Sequence, residues 1–194
     1  MKKLLLISGV ILLGTVPARA QSDYPKAEVF GGYSYFSADI KVSDPFDTGG
    51  DPFFQQREGF HGFAASGAAN LSRSFGVVAD FSYHRKEFEV FGPNIRFTTF
   101  NFLFGPRVTA RGHRVEAFAH GLVGGVRREI QDVGSNVDFA LGAGGGVDVK
   151  VARNVAVRLF QADYIPFRDR DPFTGDKEWR HNLRVSTGVT FRFD

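Results

Sequence analysis

The chain has 194 residues, with 24 Lys and Arg against 21 Asp and Glu and a formal net charge of +3. It contains no cysteine, which excludes a disulfide scaffold and a lipoprotein, and its 23 glycines and 22 phenylalanines favour sheets with close contacts over helices. Lys2, Lys3 and Arg19 account for the whole basic excess, so the charge balance of the remainder gives no reason to expect a nucleic-acid partner.

The first element is MKKLLLISGVILLGTVPARA, residues 1–20. Lys2 and Lys3 form a positive start, Leu4 to Leu13 a short apolar core, and Ala18-Arg19-Ala20 a small-x-small cleavage site. This is the pattern of a secretory signal peptide, cleaved after Ala20 and too short for a spanning helix. Residues 21–194 are expected to form one domain.

From there the chain alternates with a period of two, the signature of strands with one apolar face. Residues 27–37 set Val29, Gly31, Tyr33 and Tyr35 against Glu28, Phe30, Gly32 and Ser34. Residues 59–71 set Phe63, Ala65, Gly67, Ala69 and Leu71 against Ala64, Ser66, Ala68 and Asn70. Residues 75–85 set Phe75, Val77, Ala79, Phe81 and Tyr83 against Gly76, Val78, Asp80, Ser82 and His84. Residues 95–110 set Phe100, Phe102, Phe104 and Val108 against Thr99, Asn101, Leu103 and Arg107. Residues 114–128 read as a strand without assignable faces.

Residues 137–151, VDFALGAGGGVDVKV, raise a separate question, because glycine runs can cradle phosphate. A dinucleotide fingerprint needs G-x-G-x-x-G before a helix. Val147 and Val149 occupy the places of the third glycine, and no Gly-Lys-Ser/Thr ending of a P-loop is present. A strand fits instead: Val137, Phe139, Leu141, Ala143, Gly145, Val147, Val149 and Val151 form one face. Asp138, Ala140, Gly142, Gly144, Gly146, Asp148 and Lys150 form the other. Gly142, Gly144 and Gly146 then make room for bulky side chains across a narrow interior, and Gly145 marks a bend. Residues 155–167 form a strand whose alternation slips at Leu159-Phe160 through a bulge. Residues 183–193 close the series with Leu183, Val185, Thr187, Val189, Phe191 and Phe193 against Arg184, Ser186, Gly188, Thr190 and Arg192.

Eight strands result, joined by tight turns at 72–74, 111–113 and 152–154 and by longer polar connections at 38–58, 86–94, 129–136 and 168–180. Short and long connections in alternation, even strand number and apolar–polar alternation together describe an all-β, eight-stranded antiparallel up-and-down transmembrane barrel. A soluble secreted barrel would put its apolar face inward. Here the apolar face is rich in Phe, Tyr, Val and Leu, as lipid contact requires, and the opposite face carries charge beside small residues. Asp80, Asp138, Asp148, Lys150, Arg184 and Arg192 are therefore expected to face the lumen as a paired structural network, giving a plugged interior.

The signal peptide, GGYSYF at 31–36, FGVVADFSY at 75–83, RLFQADY at 158–164 and LRVSTGVTFRF at 183–193 resemble the small eight-stranded outer-membrane β-barrel proteins of Gram-negative bacteria. This is the OmpA-transmembrane-domain-like, porin-like superfamily, and the resemblance covers residues 23–194. It implies an outer-membrane location among lipid and lipopolysaccharide, and insertion by the barrel-assembly machinery through a C-terminal strand ending in an aromatic. Phe191 and Phe193 match that signal, although Asp194 follows where the family usually ends in Phe.

Barrels of this kind can be catalytic, and Ser, His and Asp are the residue types that could form a catalytic set. Asp80, Ser82 and His84 share one strand face at i, i+2 and i+4, an alignment of acceptors but not a triad geometry. No catalytic residue, cofactor or structural metal is expected. Residues 44–53 and 169–176 both carry Asp-Pro-Phe followed by Thr-Gly and Asp, a turn chemistry that could also supply oxygen ligands to a cation. The expected role is structural or surface interaction with an extracellular partner reached through the loops. The alternatives are a narrow channel or a lipid-modifying enzyme.

Overall fold

The computed structural model describes residues 24–43, 52–89, 94–130, 134–170 and 177–194. The expected signal peptide lies outside the described residues, as does most of the two Asp-Pro-Phe segments. The described residues form strands β1 (Ala27–Ser43), β2 (Pro52–Asn70), β3 (Phe75–Glu89), β4 (Asn94–Arg111) and β5 (Val115–Ile130). They continue with β6 (Gly134–Ala152), β7 (Val155–Tyr164), β8 (Phe167–Arg170), β9 (Lys177–Arg180) and β10 (Leu183–Phe193).

Pairing is antiparallel between chain neighbours, β10 pairs with β1, and β5 pairs with β6, so the sheet closes on itself. The ten segments make eight staves. β7 and β8 are one stave interrupted at Ile165-Pro166, and β9 and β10 are another interrupted at His181-Asn182. Pro166 has no N–H to give the ladder. The gap is bridged by Leu141, whose N–H donates to the Pro166 carbonyl, and by Ile165, whose N–H donates to the Asn182 carbonyl.

Two sequence readings need correction. The regions 38–58, 86–94, 129–136 and 168–180 are not mainly loops, because strand pairing runs into each of them. Alternation of apolar residues stops where the outer face leaves lipid, whereas the backbone ladder needs no apolar side chain to continue. The strand read across 155–167 is also not continuous, for the proline reason just given. The slip at Leu159-Phe160 is present: register shifts there against both β6 and β10. The bulge takes the Arg158 carbonyl out of the regular ladder, and the Thr187 hydroxyl donates to it at 2.9 Å.

The two faces are chemically distinct. Val29, Tyr33, Phe63, Val77, Phe81, Phe104, Val108, Phe139, Leu141, Val185 and Phe191 point outward and are exposed. Glu28, Ser34, Asp80, Asn101, Arg107, Glu116, Asp148, Arg184 and Arg192 point inward and are buried. That is the inverse of a soluble barrel and the arrangement a lipid-embedded one requires.

Candidate functional site: a charged lumen under an apolar layer

Alternation places every second residue of eight staves on one narrow inner surface, so charges far apart in sequence meet there. Near the tight turns, Arg107 and Arg111 each contact the Glu28 carboxylate at 2.9 Å. Arg111 also reaches Glu116 at 3.2 Å, and Glu116 binds Arg192 at 2.8 Å and Lys150 at 2.9 Å. Two carboxylates thus hold together three arginines and a lysine from β1, β4, β5, β6 and β10.

The next level is a chain of charge-assisted bonds. Arg158 grips Asp148 with two bonds, at 2.8 and 3.0 Å, and donates to the Gln161 side-chain oxygen at 2.6 Å. Gln161 donates to Asp163 at 2.8 Å. Asp163 accepts from Arg184 at 2.7 Å and pairs with His120 at 2.8 Å. Arg184 also donates to Asp80 at 2.6 Å and to the Ser82 hydroxyl at 2.9 Å. Phe30 and Phe118 cover the Arg158 guanidinium, with ring centroids at 4.1 and 4.4 Å, and Phe118 also lies 4.3 Å from that of Arg107. Planar guanidiniums stack on rings in this way where lysine would not.

Above this level the interior is apolar. Phe36, Phe60, Leu103, Leu122, Val126, Ala140, Ile165 and Phe167 form a buried cluster drawn from six of the eight staves. Val126, Ala140 and Ile165 have no exposed surface. Such a layer excludes water from the charged level beneath it, which strengthens each ion pair there.

All six charges named from the sequence face the interior, but they do not form one network. Asp80 and Arg184 meet directly; Asp148 belongs to the same chain of bonds through Arg158. Lys150 and Arg192 meet on Glu116 near the tight turns. Asp138 stands apart, paired with Arg128 at 2.7 Å toward the other end. Sequence reasoning missed Glu28, Arg111, Glu116, His120, Arg158 and Asp163 as members. Glu28 already alternated correctly with Val29, but Phe30 and Phe36 on its own face blurred the polar signal. Glu116 and His120 lie on the strand whose faces could not be assigned, and the bulge hid that Arg158 and Asp163 share a face.

Asp80, Ser82 and His84 share a face as expected, and all three are enclosed in the interior. The His84 Nε2 bonds the Ser34 hydroxyl at 2.9 Å, Ser34 accepts from Ser186 at 3.0 Å, and Phe36 stacks on the ring. All of these side chains are buried. Among the described residues no group of three or more His, Cys, Asp or Glu could hold a metal.

The glycine strand β6 is crowded from the side, not from across. A Cβ on Gly144 would lie 2.1 Å from Asp163 Oδ1 and 2.5 Å from the Ala162 carbonyl oxygen. On Gly142 it would meet Leu122 and Leu103, and on Gly146 the ring of Phe118 and the Phe160 carbonyl. The bend expected at Gly145 is a close approach: its Cβ would lie 2.3 Å from the Phe118 carbonyl oxygen.

Phe191 and Phe193 end β10 on the outer face, beside Val29 and Ala27 of β1. At the far end the outer face turns from aromatic to charged. Tyr33 bonds His61 at 2.5 Å and Tyr164 bonds His181, forming part of an aromatic girdle. Beyond the girdle, Arg85 and Arg96 both pair with Glu87. Arg85 first, then Arg96, holds that carboxyl below its ordinary value.

The fold is shared with solved structures at low identity. Neisserial surface protein A aligns over 89% of this chain and 100% of its own, with a TM-score of 0.65 and 12% identity. Ail, the attachment invasion locus protein of Yersinia pestis, in complex with the heparin analogue sucrose octasulfate, aligns over 86% and 99%, with 0.52 and 16%. The outer membrane protein OprG from Pseudomonas aeruginosa aligns over 88% and 96%, with 0.51 and 11%. The chain therefore has the closed eight-stranded fold of outer-membrane barrels. No protein-family model and no curated protein matches it.

Proposed function

We propose that the chain is an outer-membrane barrel that does not conduct and that presents its long connections as an extracellular interaction surface. The observation that carries this reading is the sealed interior: Arg184, with no exposed surface, bonds both Asp80 and Asp163 beneath an apolar layer. Ion passage would require breaking those pairs and wetting that layer, each costly in a low-dielectric interior. The same enclosure argues against chemistry at His84. The outer membrane is supported by the exposed apolar outer face and by the paired charges that fill much of the inner one.

The charge of the four long connections supports one kind of partner. The segments 38–58, 86–94, 129–136 and 168–180 carry thirteen acidic residues against seven basic ones. That balance fits a cationic partner and disfavours a polyanion such as the heparin analogue bound to Ail. Single-channel recording of the purified barrel in planar bilayers tests the sealed reading. The expected trace is flat at physiological salt; regular, open conductance steps would reject it in favour of a channel.

A further inference from the structure

We infer that the tight-turn end of the barrel is a docking surface for anionic phospholipid headgroups of the inner leaflet. The inference rests on the membrane reading above and adds a partner to it. The short turns of an outer-membrane barrel face the periplasm, so this end meets phospholipid, not lipopolysaccharide.

Each of the three tight turns carries an exposed arginine: Arg73 between β2 and β3, Arg114 between β4 and β5, and Arg153 between β6 and β7. Each is flanked by an outward apolar residue that marks the edge of the lipid belt. Leu71 is 66% exposed and precedes Arg73 by two residues, Val115 follows Arg114 directly, and Val151 is 60% exposed and precedes Arg153 by two. An arginine at that depth lies with its stem against acyl chains and its guanidinium at the phosphates.

The charge at this end is not spent within the protein. No side-chain partner is found for Arg73 or Arg114 among the described residues; Arg73 contributes only its backbone carbonyl, as acceptor from Arg111. Arg153 faces Asp194 at 3.6 Å, with both side chains more than half exposed, a pairing worth little in water. Asp194 is the only exposed carboxylate at this end among the described residues, because Glu28, Glu116 and Asp148 are buried in the lumen. Lys26, exposed and bonded to Tyr24, adds a fourth cation there, whereas Lys150 is paired with Glu116 in the lumen. The result is a ring of four exposed cations, Lys26, Arg73, Arg114 and Arg153, against the single exposed side-chain carboxylate of Asp194. A ring of that kind fits a sheet of anionic headgroups better than a single compact ligand.

The test uses the barrel reconstituted into phosphatidylcholine vesicles containing trace spin-labelled phosphatidylglycerol or spin-labelled phosphatidylcholine. Electron spin resonance then gives the relative association of each lipid with the protein. The expected result is a preference for phosphatidylglycerol that falls to near parity in the triple variant R73Q/R114Q/R153Q, and that weakens in high salt. The variant R85Q/R96Q, altered beyond the girdle at the opposite end, should keep the preference. No preference in the unaltered protein overturns the inference, as does a preference that survives the triple variant or vanishes with R85Q/R96Q. Failure of the unaltered barrel to enter vesicles at all would instead reject the membrane reading on which the inference rests.

Discussion

Arg184 shows how much can depend on one side chain in this interior. It bonds Asp80 and Asp163 with no exposed surface of its own. Arg184→Met leaves two carboxylates facing each other without their shared cation. Removing one partner of a buried pair costs about 3–5 kcal/mol, and urea unfolding of barrels refolded in lipid vesicles should show a loss in that range. Adding Asp80→Asn to Arg184→Met removes one orphaned charge and should recover part of the loss; a double variant no more stable than the single would mean the two groups are not coupled. Glycine gives a second residue-level contrast. Gly144→Ala drives a Cβ against Asp163 and the Ala162 carbonyl, and overpacking of this sort costs about 1–3 kcal/mol. Gly31→Ala, on the outer face with nothing within 4 Å, should unfold at the same urea concentration as the parent.

Among the elements, β7 is the one whose irregularity carries the most consequence. Arg158 and Gln161 both face inward although three positions apart, because Leu159 and Phe160 both point out. Deleting Leu159 restores strict alternation and keeps every other residue on its face. The protein should still fold to a barrel that migrates faster unheated than heated on a gel. Deleting Ala162, three residues on, inverts one side of the stave and should abolish the folded band. Equal behaviour of the two deletions would show that the bulge does not set the register. The case also shows what a linear reading can and cannot see. Strand existence is legible throughout, and outward faces on every strand but that of residues 114–128, because lipid demands apolar residues at every second position. The inner face was only half legible. Ala140 reads as part of a polar face, yet it lies in the apolar layer with Val126 and Ile165, so Ala140→Asp should destabilise as Leu141→Asp does. The ion pairs were not legible as pairs: Arg184 and Asp80 are 104 residues apart, and only closure of the sheet brings them together.

Taken as a whole, the molecule has two ends of opposite character, and its orientation in the membrane decides which one the environment meets. The tight-turn end is ringed with arginine, while the four long connections are acidic on balance. The outward apolar belt lies between them, so the barrel cannot sit in a bilayer without exposing one end to each side. Short turns toward the periplasm is the orientation that outer-membrane barrels adopt, since the long connections remain outside when the strands insert from within. The absence of native cysteine makes this directly measurable. A cysteine at Gly49 or Thr174, in the first and last long connections, should react with a membrane-impermeant thiol reagent on intact cells. A cysteine at Arg153, in the last tight turn, should react only after the outer membrane is opened. Labelling at Arg153 on intact cells with protection at Gly49 and Thr174 would invert the orientation, placing the arginine ring outside and leaving the acidic connections to face the periplasm.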